Sequence, residues 1–215
     1  MLFDLETLPP DLAYKILGST VTPRPIAWVT TLSETGISNA APYSFFNVMG
    51  DDPPLLVLGV MRDGRKGFKD TAANILATGE FVVNLVPERL AQQMNITSID
   101  APAEVNELDL AGLATAPSTK VKPPRIAQSP VAFECKLMTS LITGPKQAIV
   151  LGRVVAAHLD EAIVLDKARC HIDTPALGLI ARMHGSGVYL RSSDMFEMTR
   201  PRWADWQGKA TKPGA

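Results

Sequence analysis

Three short stretches of this chain combine residue types that can do chemistry. In "MRDGRKGFKDT", Met61 to Thr71, four cations (Arg62, Arg65, Lys66 and Lys69) precede a stretch that begins like a helix. The free N–H groups at a helix start and the positive end of its dipole favour an anion, so a phosphate is the natural guest of such a loop. Thr71 adds a hydroxyl donor, whereas the negative Asp70 suits capping the helix or holding a neighbouring cation. In "NAAPYSFFNVMGDDPP", Asn39 to Pro54, Ser44 and Asn47 stand among Tyr43, Phe45 and Phe46. The rings fit a pleated, half-buried strand, but that role leaves the two polar residues unexplained. In "TPRPIAWVTT", Arg24 is held between two prolines where a strand opens.

Each signal also has a plainer reading: a basic loop is a solvated face, and Ser44 bonds to nearby backbone. Other chemistries are excluded by pattern. No G-x-G-x-x-G follows the early strands, and there is neither a Walker-type phosphate loop nor a G-x-S-x-G elbow. His158, His171 and His184 lack metal-site spacing, so no metal is expected. Cys135 and Cys170 follow no metal or redox spacing, and both are read as buried thiols.

The elements that must position these residues are mostly strands. "PIAWVTTL", "SNAAPYSFF", "LLVLGV", "FVVNLV", "VAFECKLMTSLI" and "AIVLGRVVAAHL" are rich in β-branched and aliphatic residues and bounded by Gly, Pro, Asp or Asn. "SETG" and "ITGPKQ" read as hairpin turns, the first with Gly36 at a positive φ. An antiparallel barrel or sandwich follows. Two short helices interrupt it. "KDTAANILATG" takes Asp70 as its N-cap, Ala72, Ala73, Ile75 and Leu76 as its apolar face, and Gly79 as its stop. "PERLAQQMNIT" starts at Pro87 and sets Leu90 and Met94 one turn apart. The proline-rich "APSTKVKPPRIAQSP", Ala116 to Pro130, is expected to cross the surface without regular structure.

At 215 residues, 46% hydrophobic and 20% charged, the chain has the makeup of an ordinary globular domain. Residues 1–198 read as that domain. Residues 199–215 read as a C-terminal arm, either packing Trp203 and Trp206 on a partner subunit or disordered. A net charge of -1 and the lack of a basic stripe argue against nucleic acid. No apolar run reaches the roughly 18 residues of a membrane span, and the N-terminus lacks signal-peptide features, so a cytoplasmic protein is expected.

Taken together and in order, "TPRPIAWVTT", "NAAPYSFFN", "DDPPLLVLGV", "KDTAANI", "GEFVVNL", "SPVAFECKL", "VLGRVVAAH" and "ARMHGSGVY" resemble the flavin reductase-like FMN-binding proteins. The likeness runs from about Thr22 to Tyr189. It implies a mainly β fold, the FMN-binding split β-barrel, an antiparallel Greek-key-type barrel with a few short peripheral helices. It also implies FMN in a groove at a homodimer interface. Tyr43, Ser44, Phe45 and Asn47 would lie beside the isoalloxazine, with Ser44 and Asn47 as hydrogen-bonding groups at its rim. Lys69, Asp70 and Thr71 would stand near the phosphate, together with Arg62 of the basic cluster. Arg24, Ala27 and Thr30 would border the ring or its ribityl chain. Arg24 and Arg182 are candidates for a cation at the N1/C2 carbonyl edge. His184 either faces a nicotinamide or is a surface-loop histidine; "RMHGSG" departs there from the R-x-G-G of many relatives.

The implied activity is hydride transfer from NADH or NADPH to the flavin, with electrons passed on to free flavin, a ferric complex or a partner monooxygenase. An FMN-binding electron carrier or flavin-storage protein is the alternative.

Overall fold

The structure, a computed structural model, describes residues 1–63, 67–204 and 206, with backbone alone at 62 and 63. Seven strands form one antiparallel sheet: β1 (Ala27–Leu32), β2 (Ser38–Tyr43), β3 (Phe46–Asp51), β4 (Pro54–Asp63), β5 (Glu80–Leu85), β6 (Val131–Gly144) and β7 (Gln147–Leu159). Their order is β2-β1-β5-β6-β7-β4-β3, and Gly67–Phe68 pairs with the end of β4. The edge strands β2 and β3 are consecutive in the chain, joined through Ser44 and Phe45. The sheet curls until the Gly59 N–H on β4 donates to the Phe45 carbonyl at 2.7 Å. The barrel is thus closed at the link and split beside it, the architecture that the resemblance implied. β4 and β5 follow one another in the chain but are not neighbours in the sheet, which gives the Greek-key-type crossing.

Alternation explains the core. Ala27 and Val29 of β1 point into the barrel with Leu58, Val60, Phe81, Val83 and Val150, while Trp28 points the other way. There it meets a second core with Ile26, Leu90, Met94, Leu108 and Ile180. β1 is therefore covered on both faces. Gly36, at φ 85°, turns β1 into β2 as expected.

Helix α2 (Asp70–Thr78) drops Ala72 and Ile75 into the barrel core and ends at Gly79, whose φ is 71°. Two expectations for it change. The chain stays extended through Lys69, so Lys69 and not Asp70 holds the cap position, with no side-chain cap bond. Ala73 faces solvent, because the apolar face is narrower than the sequence suggested. Helix α3 (Ala91–Ile96) follows a single 3-10 turn, and Leu90 and Met94 are both buried as expected. Asn106 caps α4 (Glu107–Leu110) by accepting from the Leu108 N–H at 3.1 Å. A further helix, α1 (Pro10–Thr20), had no clear sequence signal, and its one buried residue is Gly18.

The 116–130 crossing is more ordered than its prolines suggested. Thr115–Ala116 pairs with Arg125–Ile126, and the turn at Thr119–Val121 wraps the fully buried Glu134 carboxylate. That carboxylate accepts from the backbone N–H groups of Thr119, Lys120 and Val121, from the Thr119 hydroxyl, and pairs with His158 Nε2 at 2.5 Å. Burial would raise the Glu134 pKa, but these bonds outweigh it and lower it to about 2. Cys135 is buried as expected, and burial together with the Glu134 charge pushes its thiol up. Cys170, by contrast, is exposed in a turn at φ 51°, where no core reaches it. Among the described residues no helix is long and apolar enough to cross a membrane.

Candidate functional site

A cavity of about 810 Å³ opens in the split of the barrel. One wall is the β2–β3 link, with Tyr43, Ser44 and Phe45. Gly59, Met61 and Gln147 face it from β4 and β7. The start of α2 supplies Lys69, Asp70 and Thr71, and the loop from Ser98 to Ala103 closes the third side. Gly59 is required here, since a Cβ would lie 2.9 Å from Phe45 Cβ and 3.0 Å from Gln147 Nε2.

Six sequence-selected residues therefore converge: Tyr43, Ser44, Phe45, Lys69, Asp70 and Thr71. Arg24 lies just behind them, 8% exposed. Its guanidinium donates to the carbonyls of Gly18 at 2.5 Å, Val21 at 3.1 Å and Met183 at 2.9 Å, and to Ser44 Oγ at 3.3 Å. It also stands 6.0 Å from the centre of the Phe45 ring.

The remaining selected residues sit elsewhere. Ala27 is part of the barrel core. Thr30 is fully buried in the doubly covered strand β1, its hydroxyl spent on the Pro124 carbonyl at 2.6 Å. Asn47 is exposed on the edge strand and bonds its own neighbour, the Val48 N–H, at 2.8 Å. Arg182 turns back onto its own loop, donating to Gly185 O at 2.6 Å and standing over Tyr189 at 4.9 Å. His184 is exposed in that loop, outside the cavity lining. The Arg62 side chain, Arg65 and Lys66 lie outside the described residues.

Among the polar residues of the cavity that sequence reasoning missed, Glu107 and Asn39 form a linked pair. Glu107, 4% exposed, accepts from Asn39 Nδ2 at 3.1 and 3.0 Å and from the Ala40 N–H at 3.1 Å, and so covers the free edge of β2. Asn39 Oδ1 in turn accepts from Thr71 Oγ1 at 2.7 Å. The Thr71 proton is thus turned inward, towards Asn39. Burial, helped by the Asp70 and Glu107 charges and opposed by a hydrogen bond with Thr71, pushes the Tyr43 phenol up to about 12. The phenol therefore stays protonated at neutral pH. Lys69 Nζ meets Asp100 Oδ1 at 3.2 Å across the cavity mouth. Among the described residues no group of three or more His, Cys, Asp or Glu is placed to hold a metal.

Comparison with known proteins agrees with this architecture. A protein of Deinococcus radiodurans is 43% identical over 211 residues, covering 95% of this chain and 92% of its own. The structure of Pseudomonas fluorescens 2-nitrobenzoate 2-nitroreductase NbaA superposes with a TM-score of 0.85 at 34% identity, covering 94% of this chain and 98% of that one. Nitrilotriacetate monooxygenase component B from Bacillus cereus gives 0.86 at 30% identity, with 92% and 98% covered. The family model of the flavin reductase like domain matches residues 18–172, and the chain belongs to that family of flavin-related oxidoreductases.

Proposed function

We propose that this protein is an NAD(P)H-dependent FMN oxidoreductase that passes electrons to a second acceptor. The observation that carries the reading is one cavity flanked by an aromatic link on one side and by a helix start without a side-chain cap on the other. An isoalloxazine is a flat, largely apolar plate with a polar rim, so it needs aromatic or small surfaces and a few fixed hydrogen-bonding groups. Tyr43, Phe45 and the bare backbone of Gly59 offer the surface; Ser44 and Gln147 offer the polar atoms. At the other end, the first N–H groups of α2 have no intrahelical acceptor, and Lys69 stands beside them. Two of the nearby carboxylates already have partners, Asp100 in Lys69 and Glu107 in Asn39 and Ala40, and the third, Asp70, stands in the first turn of α2. These residues fit FMN.

When bound, the flavin supplies the two-electron chemistry, and the protein's work is alignment and electrostatics. Lys69 and the α2 backbone would hold the phosphate, with Lys69 shared between it and Asp100. The protonated Tyr43 supplies a neutral polar edge. Arg24 has no carboxylate partner among the described residues, so its charge, carried to the cavity wall through Ser44, would favour negative charge on a ring edge there. The aromatic walls keep water from one face.

A homodimer is part of the proposal. Val48 and Met49 on β3, Met61 on β4, and Leu141 and Ile142 on β6 are all well exposed in the single chain, as are Trp203 and Trp206 of the proposed C-terminal arm. The similarity to a monooxygenase component supports a partner monooxygenase as acceptor, and the similarity to a nitroreductase supports a small aromatic one.

Anaerobic mixing of the FMN-loaded protein with NADH or NADPH tests the reading. Loss of the visible flavin absorbance at a catalytically useful rate is expected. Flavin bound but not bleached would leave the electron-carrier or storage function, and a protein that ignores added FMN would end both.

A further inference from the structure

Helix α1 is held in an unusual way for an amphipathic helix. Leu12, Tyr14 and Leu17 are exposed, and Gly18 is its one buried residue, so apolar burial does not fix its position. Arg24 does. The guanidinium bonds the carbonyls of Gly18 and Val21 at the C-terminal end of the helix, where a cation is favoured, and the same group bonds Ser44 in the cavity wall. One buried cation thus ties α1 to the β2–β3 link. The consequence is that Tyr14 lines the cavity while 57% exposed, its ring centre 5.9 Å from that of Phe45 and tilted by 42°. Tyr14 also precedes the part of the chain that the family model matches.

We propose that Tyr14 is a substrate-binding residue that forms the outer aromatic wall for the nicotinamide ring of the electron donor, a role that rests on the FMN reading above. A half-exposed ring at the mouth of a cavity whose inner aromatic is Phe45 offers an offset stacking surface to a second planar ligand. It loses little by uncovering itself again when product leaves. Tyr14 stands at the exposed mouth beside Phe45, so its open face meets the second ligand and it touches the first only through its tilted contact with Phe45.

The test compares wild type, Tyr14→Ala and Tyr14→Phe, all loaded with FMN. Calorimetry measures binding of NAD+, which cannot donate a hydride, and steady-state assays give KM and kcat for NADH and NADPH. For Tyr14→Ala, NAD+ affinity should fall and KM rise by ~3- to 10-fold, the worth of one aromatic contact. FMN affinity and kcat should stay within about twofold, and Tyr14→Phe should stay within about twofold throughout, because stacking needs the ring and not the hydroxyl. Unchanged NAD+ affinity and KM in Tyr14→Ala overturns the proposal, as does an equal loss of FMN affinity, or an effect confined to the KM of the electron acceptor. A wild type that binds FMN but neither NAD+ nor the reduced nucleotides also overturns it while leaving the FMN site intact. Failure of the wild type to bind FMN removes the underlying reading instead.

Discussion

Replacing Gly59 by alanine probes the one point where the barrel closes and the cavity begins. The new Cβ would sit 2.9 Å from Phe45 Cβ and 3.0 Å from Gln147 Nε2, whereas ordinary contact starts at 3.4 Å. The Gln147 amide can swing away. Phe45 Cβ cannot, because it is attached to backbone whose carbonyl accepts the Gly59 N–H at 2.7 Å. The link must therefore retreat by ~0.5 Å or lose that hydrogen bond, a cost of ~1–3 kcal/mol for overpacking. A shift of ~0.5 Å is also about the tolerance of a binding constellation, so the stacking surface at Phe45 should lose ~1 kcal/mol, roughly fivefold in FMN affinity. Urea unfolding reads the first number, and quenching of FMN fluorescence reads the second. A Gly59→Ala protein as stable as wild type and equal in FMN affinity would refute the claim that the Phe45 link forms the wall of the site.

Other perturbations have defined outcomes. Because the Glu134 pKa is lowered from 4.5 to about 2, its stabilising effect is full above 4.5 and is lost as the pH falls from there towards 2. Allowing for solvent screening at the exposed Thr119 and Lys120, Glu134→Gln should be ~2 kcal/mol less stable than wild type at pH 7 by urea unfolding. The gap should close in acid, and a gap independent of pH would count against the clamp. Asn47→Ala should leave stability within ~0.5 kcal/mol and FMN affinity unchanged, since the side chain is exposed and among the described residues bonds the Val48 N–H beside it. A large loss of FMN affinity would restore Asn47 to the site. Lys69→Ala should weaken FMN by ~1 kcal/mol, about fivefold, and riboflavin hardly at all, the modest size reflecting a half-exposed ammonium. Equal losses for the two ligands would move the phosphate away from α2.

The strands were readable because their apolar runs are bounded by Gly, Pro and Asp, and because turns such as that at Gly36 need a residue that tolerates positive φ. The link residues Tyr43 to Phe45 and the start of α2 were readable for the same local reasons. What stayed hidden depends on contacts remote in sequence. Nothing near Glu107 announces that it will cover the edge of β2 through Asn39, 68 residues away. The resemblance sets Thr30 beside the ring or its ribityl chain, but the second core and the Pro124 carbonyl cover that face of β1. Ser44 and Asn47 looked alike as polar residues among rings, yet the bend between β2 and β3 sends one into the cavity and leaves the other at the outer edge. Helix α1 carries no legible signal because a buried arginine holds it in place of an apolar stripe, and nothing in the sequence marks the bonds from Arg24 to Gly18 and Val21.

A crystal structure of the protein grown with FMN tests the site most directly. The ring should lie against Tyr43 to Phe45 in the split of the barrel, with the phosphate at Lys69 and the first N–H groups of α2. FMN bound elsewhere, or a cavity that stays empty at saturating FMN, would contradict it.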